Sequence, residues 1–116
     1  MINKLLLLFI VSMPFYSSPS LAAPDGADLL AACEHSLQHD FQDVKGKLCQ
    51  WYVMPCDCHH GRKPPPRVCL PSSVAIEILA QQVITGLEAK PALQSEDADM
   101  AAAIILAEHY PCSDND

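Results

Sequence analysis

Six cysteines in a chain of 116 residues restrict the folds open to it more than any other feature of the sequence. An even number of cysteines in a short exported chain is typical of a disulfide framework rather than of reactive thiols. Each bridge contributes about 2–4 kcal/mol by restricting the unfolded chain, and a small core benefits from that stabilisation. All six lie beyond residue 22, at Cys33, Cys49, Cys56, Cys58, Cys69 and Cys112.

Residues 1–22 have the pattern of a secretory signal peptide. A lysine precedes a short apolar run at 5–11, and small residues at Ser20 and Ala22 suit a signal peptidase. We expect cleavage after Ala22 or after the next alanine, which leaves one mature domain at 23–116. The alternative is a retained membrane anchor, but the apolar run is short for a span and no stop-transfer pattern follows.

The mature part is acidic, with six basic and fourteen acidic residues and a net charge of −8. Binding to nucleic acid or to an anionic membrane requires cationic patches, so the sequence argues against both. The charge is compatible with a basic protein partner, and it also suits a secreted protein that only needs to be soluble. No later stretch is long and apolar enough to place the mature form in a membrane.

Apolar residues recur at helical spacing in four segments, and no useful length of chain alternates with period two. The sequence therefore predicts an all-α fold, a small four-helix domain of two disulfide-stapled helical hairpins. The predicted helices run from about Asp25 to Leu37, from Val44 to Met54, from an N-cap at Ser72 or Ser73 to Glu88, and from an N-cap at Ser95 to Pro111. The residues expected on their buried faces are Leu30, Cys33 and Leu37, then Leu48, Trp51 and Tyr52, then Ile76, Leu79, Val83 and Leu87, and finally Met100, Ile104 and Ala107.

Helix geometry narrows the disulfide pairing. Cys33 lies about one turn before the end of the first predicted helix and Cys49 about one turn after the start of the second, so an antiparallel pair brings them together. Cys69 precedes the third helix and Cys112 follows the fourth, which places them at neighbouring ends. We therefore favour Cys33–Cys49 and Cys69–Cys112. A cross-pairing of the two hairpins through Cys33 and Cys112 stays open.

A proline-rich stretch at 55–68 separates the two hairpins, and its four prolines and one glycine exclude a helix. It holds half of the positive charge of the mature chain beside two histidines, and a stiff polyproline stem presents such groups at reduced ordering cost. We predict that this loop binds a partner, although an ordinary solvated connection is the alternative. The predicted partner-binding residues are Asp57, His59, His60, Arg62, Lys63 and Arg67.

Cys56 and Cys58 lie in the same loop, one residue apart. They either bridge each other or pair with a partner's thiol. With His59 and His60 they also form a set of soft ligands suited to zinc or copper. Zinc sites usually draw ligands from two separated pairs, and an oxidising compartment tends to close thiols into disulfides. We therefore predict no metal and no other cofactor.

The sequence lacks the motifs of hydrolytic and phosphate-binding sites, such as Gly-x-Ser-x-Gly, His-Glu-x-x-His and a phosphate loop. No acid or nucleophile is placed along the chain to tune His35, His39 or His109, so we expect these to be surface histidines. We expect Trp51 and Tyr52 to belong to the core rather than to a ligand platform. The prediction is a binding protein and not an enzyme, with no catalytic residues.

Several short motifs of cysteine, proline and apolar residues recur along the mature chain. They are Leu29-Leu30-x-x-Cys33, Cys49-x-x-Tyr52, Cys69-Leu70-Pro71, a long helix closed by Pro91, an alanine-rich helix, and Tyr110-Pro111-Cys112. From about Gly26 to Cys112 this pattern resembles the Rap/Tai family, which are periplasmic immunity proteins of type VI secretion systems.

The resemblance implies a small helical domain in the periplasm, often a homodimer, that binds a cognate secreted peptidoglycan amidase. Such a domain plugs the cysteine–histidine groove of the amidase with a projecting loop and performs no chemistry itself. This sequence departs from the family pattern in two ways that affect which loop plugs the amidase. Met54-Pro55 breaks the second helix where the family continues it, and the cysteines and prolines that follow are unusual. The connection at Glu88–Ser95 is therefore an alternative to residues 57–67.

Two other classes of function stay open. A small, acidic, disulfide-linked helical protein also fits a periplasmic acid-stress chaperone, in which carboxylates and histidines sense pH. The cysteines and histidines at 56–60 fit a metal-binding module. Suppression of the aggregation of unrelated proteins at low pH distinguishes the first, and titration with zinc or copper(I) distinguishes the second.

Overall fold

The computed structural model describes residues 23–54 and 64–113. Within these ranges the chain forms four α-helices and no strand, which confirms the predicted all-α, four-helix fold. The elements are α1 (Gly26–Gln38), α2 (Val44–Val53), α3 (Ile76–Ala89), a 3₁₀ helix (Pro91–Ser95) and α4 (Ala98–His109). None of the described helices has the length and apolar character needed to span a bilayer. The predicted signal peptide at 1–22 lies outside the described residues and stays a prediction.

Helix α1 begins at Gly26 because the side chains of Asp25 and Asp28 each accept a hydrogen bond from the other residue's backbone N–H. The carboxylate of Asp25 accepts a hydrogen bond from the backbone N–H of Asp28 (2.9 Å), and the carboxylate of Asp28 accepts one from the N–H of Asp25 (3.0 Å). This reciprocal capping box occupies backbone donors that a helix start otherwise leaves unpaired.

Both favoured disulfides are present. Cys33 of α1 and Cys49 of α2 have their Cα atoms 4.9 Å apart, and Cys69 and Cys112 have theirs 5.0 Å apart. The backbone N–H of Cys69 also donates to the carbonyl of Tyr110 (3.0 Å), which supports the second bridge. Each predicted hairpin, α1–α2 and α3–α4, is thus closed by one disulfide, and the cross-pairing is wrong. No cysteine in the described ranges is free.

The core forms around α1, which contacts the other three helices and the 3₁₀ helix. Its buried side chains are mostly of small or medium size, and the fully enclosed cysteines of the first disulfide belong to it. The members are Leu29, Ala32 and Cys33 of α1, Cys49 and Val53 of α2, Leu79, Ala80, Val83, Ile84 and Leu87 of α3, and Ala98, Ala101, Ala102, Ile105 and Leu106 of α4.

The predicted buried face of α3 is confirmed except at Ile76, which is only half-buried, and the predicted faces of the other three helices are displaced. In α1 Cys33 is buried as predicted, but Leu30 is only half-buried and Leu37 is 38 % exposed. The other buried positions include Leu29, Ala32 and Ser36. Ser36 is accepted in the interior because its hydroxyl donates to the carbonyl of Ala32 (2.8 Å). A stripe chosen from the largest apolar side chains misses a face on which alanine and serine allow neighbouring helices to approach.

Helix α4 shows the same effect. Its predicted face of Met100, Ile104 and Ala107 is only half-buried, while the neighbouring alanines lie in the core. In α2 the fully buried positions are Gly46, Cys49 and Val53. Of the predicted set, Leu48 and Tyr52 are half-buried against the core and Trp51 is exposed.

Two predicted N-caps are wrong. Helix α3 starts at Ile76, because Ser72 and Ser73 form a separate turn and the first helical bonds run to the carbonyl of Ala75. Helix α4 starts at Ala98 rather than after Ser95, since Ser95 ends the 3₁₀ helix.

The backbone between the 3₁₀ helix and α4 pairs with the segment that precedes α1. The N–H of Gly26 donates to the carbonyl of Glu96 (2.8 Å), and the N–H of Ala98 donates to the carbonyl of Pro24 (3.0 Å). An isolated antiparallel bridge between Asp25 and Asp97 results. Glycine is required at 26, because a Cβ there would lie 2.2 Å from the carbonyl oxygen of Leu93.

Helices α3 and α4 approach each other closely at Gly86. A Cβ on Gly86 would lie 2.6–2.8 Å from three side-chain atoms of Ile105, which is too close for unstrained packing. We expect Gly86→Ala to lower the free energy of unfolding by about 1–3 kcal/mol through overpacking, despite the better helix propensity of alanine. Urea unfolding followed by circular dichroism measures this change.

A double-mutant cycle separates overpacking from other effects of the same substitution. In an Ile105→Ala background the obstructing atoms are absent, so Gly86→Ala is expected to stabilise the protein by up to about 1 kcal/mol. An equal effect of Gly86→Ala in both backgrounds would contradict the close approach of the two helices.

Candidate functional site

The structure describes only part of the predicted partner-binding loop. Asp57, His59, His60, Arg62 and Lys63 lie outside the described residues, as do Cys56 and Cys58, so these predictions stay untested. Arg67 is described: its side chain is exposed, and it lies in a stretch without helix or strand that leads into Cys69. Within the described ranges no group of three or more histidine, cysteine, aspartate or glutamate side chains could hold a metal ion.

The outward side of α2 is apolar, which the sequence prediction missed. Val44 is 88 % exposed and Trp51 is 68 % exposed, so the expectation that Trp51 belongs to the core is wrong. Val44, Leu48 and Trp51 follow one another at i, i+4 and i+7, although Leu48 is half-buried against the core. Lys47 lies between them on the same side. We call these four residues the α2 outer face.

The disulfide determines which side of α2 faces outward. Gly46, Cys49 and Val53 are buried on one side of the helix, and the bridge from Cys49 to Cys33 holds that side against α1. At 100° per residue the α2 outer face points away from this side. Tyr52 lies between the two sides and is half-buried against the core.

A polar contact joins the end of α1 to the start of α2. His35 Nε2 and Asp43 Oδ2 lie 2.5 Å apart, and the rings of His35 and His39 stack with their centroids 4.5 Å apart. The other oxygen of Asp43 accepts from the backbone N–H of Gly46 (2.7 Å) and thereby caps α2. The hydrogen bond from His35, followed by that from Gly46, lowers the pKa of Asp43 below its ordinary value of 3.8.

This contact corrects the expectation that no acid is placed beside the histidines. Asp43 and His35 are eight residues apart, and only the hairpin brings them together. Its position at the helix junction and the capping bond to Gly46 indicate a structural contact. Because all described cysteines form disulfides, none of them provides a thiol for nucleophilic catalysis.

The starts of α1 and α4 form an acidic edge, which consists of Asp25, Asp28, Asp97 and Asp99. The backbone pairing described above places the first residues of the two helices side by side. Negative side chains suit this place, since both helix dipoles are positive there. Burial raises the pKa of Tyr52 above its ordinary value of 10.0, and the charges of Asp99 and Asp97 raise it further. Tyr52 of α2 is thus within reach of the charges of the acidic edge, whereas the α2 outer face carries a lysine.

Comparison with known families decides the classification. Residues 25–112 match the family described as Rap1a immunity proteins. The chain belongs to this family. The match begins at the N-cap of α1 and ends at the last cysteine of the second disulfide, so it covers every described helix. Comparisons with curated proteins and with solved structures gave no match.

Membership of the Rap1a immunity family gives the described surfaces a general role. An immunity protein acts by binding a cognate effector, and such families are generally non-enzymatic. The parts of the domain that matter for function are therefore those that a partner can reach. In the described ranges these include the α2 outer face, which carries Val44 and Trp51, the two most exposed of the large apolar side chains there.

The sequence does carry a signal for this surface. Apolar residues occur on both sides of α2, at 46, 49 and 53 and again at 44, 48 and 51, which is unusual for a helix with only one core to cover. The periodicity alone does not say which side is outward, and the disulfide supplies that information.

The cap at Asp43 generates a testable prediction. Asp43→Ala removes the acceptor for the N–H of Gly46, and we expect the urea midpoint of unfolding to fall because α2 loses its N-cap. Asp43→Asn is the matched control, because asparagine caps a helix almost as well while removing the charge. Urea unfolding at neutral pH measures both, and an equal loss in the two variants would contradict the capping role.

The charge of Asp43 makes the stability of the fold depend on pH. Its folded pKa is depressed, so the carboxylate contributes stability above the ordinary value of 3.8, and this contribution is lost as the pH falls through the lower folded value. The difference in stability between wild type and Asp43→Asn should therefore shrink between about pH 5 and about pH 2. A constant difference in stability over that range would contradict a contribution from the depressed pKa of Asp43.

Proposed function

We propose that this protein is a periplasmic immunity protein that binds a type VI-secreted peptidoglycan amidase and occludes its active site. The observation that carries the proposal is the family match, which coincides with the whole disulfide-linked helical domain. Binding to a cognate effector follows from the family. The amidase, the secretion system and the periplasm are our proposals.

The proposed compartment agrees with the chemistry of the chain. Disulfides persist in the periplasm and are reduced in the cytoplasm, and both described bridges close helical hairpins. The first 22 residues have the pattern of a secretory signal peptide. Since peptidoglycan lies outside the inner membrane, a protein that protects it from an amidase must work in the same place.

Occlusion is a suitable mechanism for this fold. A body held by two disulfides and a core of close-packed helices loses little conformational entropy when it binds, so a projecting segment can enter a groove at low ordering cost. Such inhibition needs no catalytic group on the inhibitor.

Packing of the connection after α3 favours residues 57–67 as the inserted segment. The 3₁₀ helix within 88–95 packs against α1, where Leu93 and Gln94 lie directly over Gly26. The side chain of Gln94 also donates to the carbonyl of Leu87 (3.2 Å). A partner would have to disturb these contacts to draw that connection into a groove.

A homodimer is a further proposal that rests on the family resemblance, and light scattering of the purified protein checks it.

Inhibition of a cognate enzyme tests the proposed function. We expect the gene to lie beside one for a small secreted amidase, and that amidase is the enzyme for the assay. The purified mature domain should abolish its hydrolysis of peptidoglycan at about one inhibitor site per enzyme, because occlusion is stoichiometric. Full hydrolysis at a large excess of the domain would refute the proposal.

A cell-based version tests the compartment. The full chain should protect cells in which the amidase is directed to the periplasm, and a chain lacking residues 1–22 should not. Protection by the truncated chain would contradict a periplasmic site of action.

The same inhibition assay locates the inserted segment. Replacing Arg62, Lys63 and Arg67 together by alanine should weaken inhibition by more than about tenfold, since charged contacts at an interface contribute strongly to affinity. Unchanged inhibition would favour the connection at 88–95.

A further inference from the structure

The α2 outer face is largely apolar, and the described part of the domain covers only Leu48 in part. Val44 and Trp51 are mostly exposed, and Met54, which ends the helix, is half exposed. Exposed large apolar groups that lie together mark interaction sites more often than isolated ones do. Helix α2 carries apolar side chains on two sides, and the core covers only one of them completely. A partner is therefore expected on the outward side of α2.

The charge around this face indicates the chemistry of that partner. Lys45 and Lys47 are exposed on α2. Residues 45–67 contain five of the six basic residues that follow residue 22 and only one of the fourteen acidic residues. The remainder of the mature chain has one basic and thirteen acidic residues, so α2 lies in the basic segment of an acidic protein. A partner with carboxylates beside an apolar pocket complements this combination.

A second copy of the chain fits the face less well. A two-fold contact through the middle of α2 would place Lys47 beside Lys47 of the other copy, and like charges at close range oppose association. The helix is also only ten residues, or about 15 Å, long. Its outer face alone falls well short of the roughly 800 Å² per partner that a stable interface of standard size buries.

We propose that Trp51 inserts into an apolar pocket on an acidic surface of the effector, with Lys47 and Lys45 pairing with carboxylates at the rim of that pocket. This inference rests on the proposed function, since it takes the cognate amidase as the partner. Tryptophan suits such a position because it buries a large area with few rotatable bonds, and buried tryptophans dominate many interfaces. The α2 outer face then acts beside the inserted loop as a second contact with the enzyme.

Binding of the amidase to Trp51→Ala tests the inference. We expect the dissociation constant, measured by calorimetry, to rise about thirtyfold or more, as for the central residue of an interface. Ile78→Ala is the matched control, because Ile78 is 52 % exposed on α3 and lies outside the α2 outer face, and its effect should stay within about twofold. Both variants should keep the helical spectrum and thermal midpoint of the wild type, since both side chains are largely exposed. Equal binding by wild type and Trp51→Ala would overturn the inference.

The lysines provide a second, independent variant. Lys45→Glu with Lys47→Glu should slow association with the amidase by about tenfold or more at low salt and weaken its dependence on ionic strength. An unchanged association rate would mean that the surface opposite α2 is not acidic, and would overturn the proposed partner chemistry.

Trp51 is the only tryptophan of the chain, so its spectrum reports on this one position. In the free protein its fluorescence should be that of a water-exposed indole and should be quenched readily by acrylamide. A protected indole would show that another segment of the chain, or a second copy, already covers the face, and would overturn the inference. Light scattering of wild type and Trp51→Ala distinguishes these two cases, because only a self-contact changes mass.

Three outcomes of the binding experiment are distinguishable. If the wild type does not bind the amidase, the proposed function fails. If the wild type binds and Trp51→Ala binds equally well, the function stands and the role of the α2 outer face is wrong. If only Trp51→Ala loses binding, incorporation of fluorotryptophan should give a fluorine NMR signal at Trp51 that shifts when the amidase is added.

Discussion

The disulfide between Cys33 and Cys49 lies inside the hydrophobic core, and both residues are completely buried. It joins α1, which touches every other helix, to α2, which is short and has apolar residues on two sides. Without a fixed attachment, hydrophobicity alone would allow α2 to turn either side inward. The bridge settles this by holding the side with Cys49 against α1. The exposure of Trp51 is therefore a direct consequence of the covalent link.

The second half of the domain depends on close packing of α3 against α4 as well as on its disulfide. Gly86 and the alanines of α4 let α3 and α4 approach until Ile105 fills the space in front of the glycine. The bridge between Cys69 and Cys112 then closes the open ends of this hairpin. Backbone pairing between the segments around Asp25 and Asp97 ties it to the start of α1. A body fixed at so many places offers a partner a preformed surface, which suits an inhibitor that works by occlusion.

Sequence reasoning predicted the helices, the two bridges and the family, because cysteine spacing, proline positions and helical periodicity are local signals. It misplaced the buried faces of α1 and α4, since it ranked residues by size and the structure buries alanines and Ser36 where helices must come close. The N-cap at Ser95 was wrong because residues around 96 are used in backbone pairing with the segment at the start of α1. The exposure of Trp51 and the contact of Asp43 with His35 both depend on how the first hairpin closes, which no local pattern contains.

The fold depends on the two disulfides, which hold the two hairpins closed. The most direct test of this dependence is the free energy of unfolding of the oxidised mature domain and of variants that lack one bridge. The bridges close 16 and 43 residues, so replacing Cys33 and Cys49 by alanine should remove about 3 kcal/mol and replacing Cys69 and Cys112 about 4 kcal/mol. Buried packing lost with the first pair would add to its effect. Variants that unfold at the same urea concentration as the wild type would contradict the account.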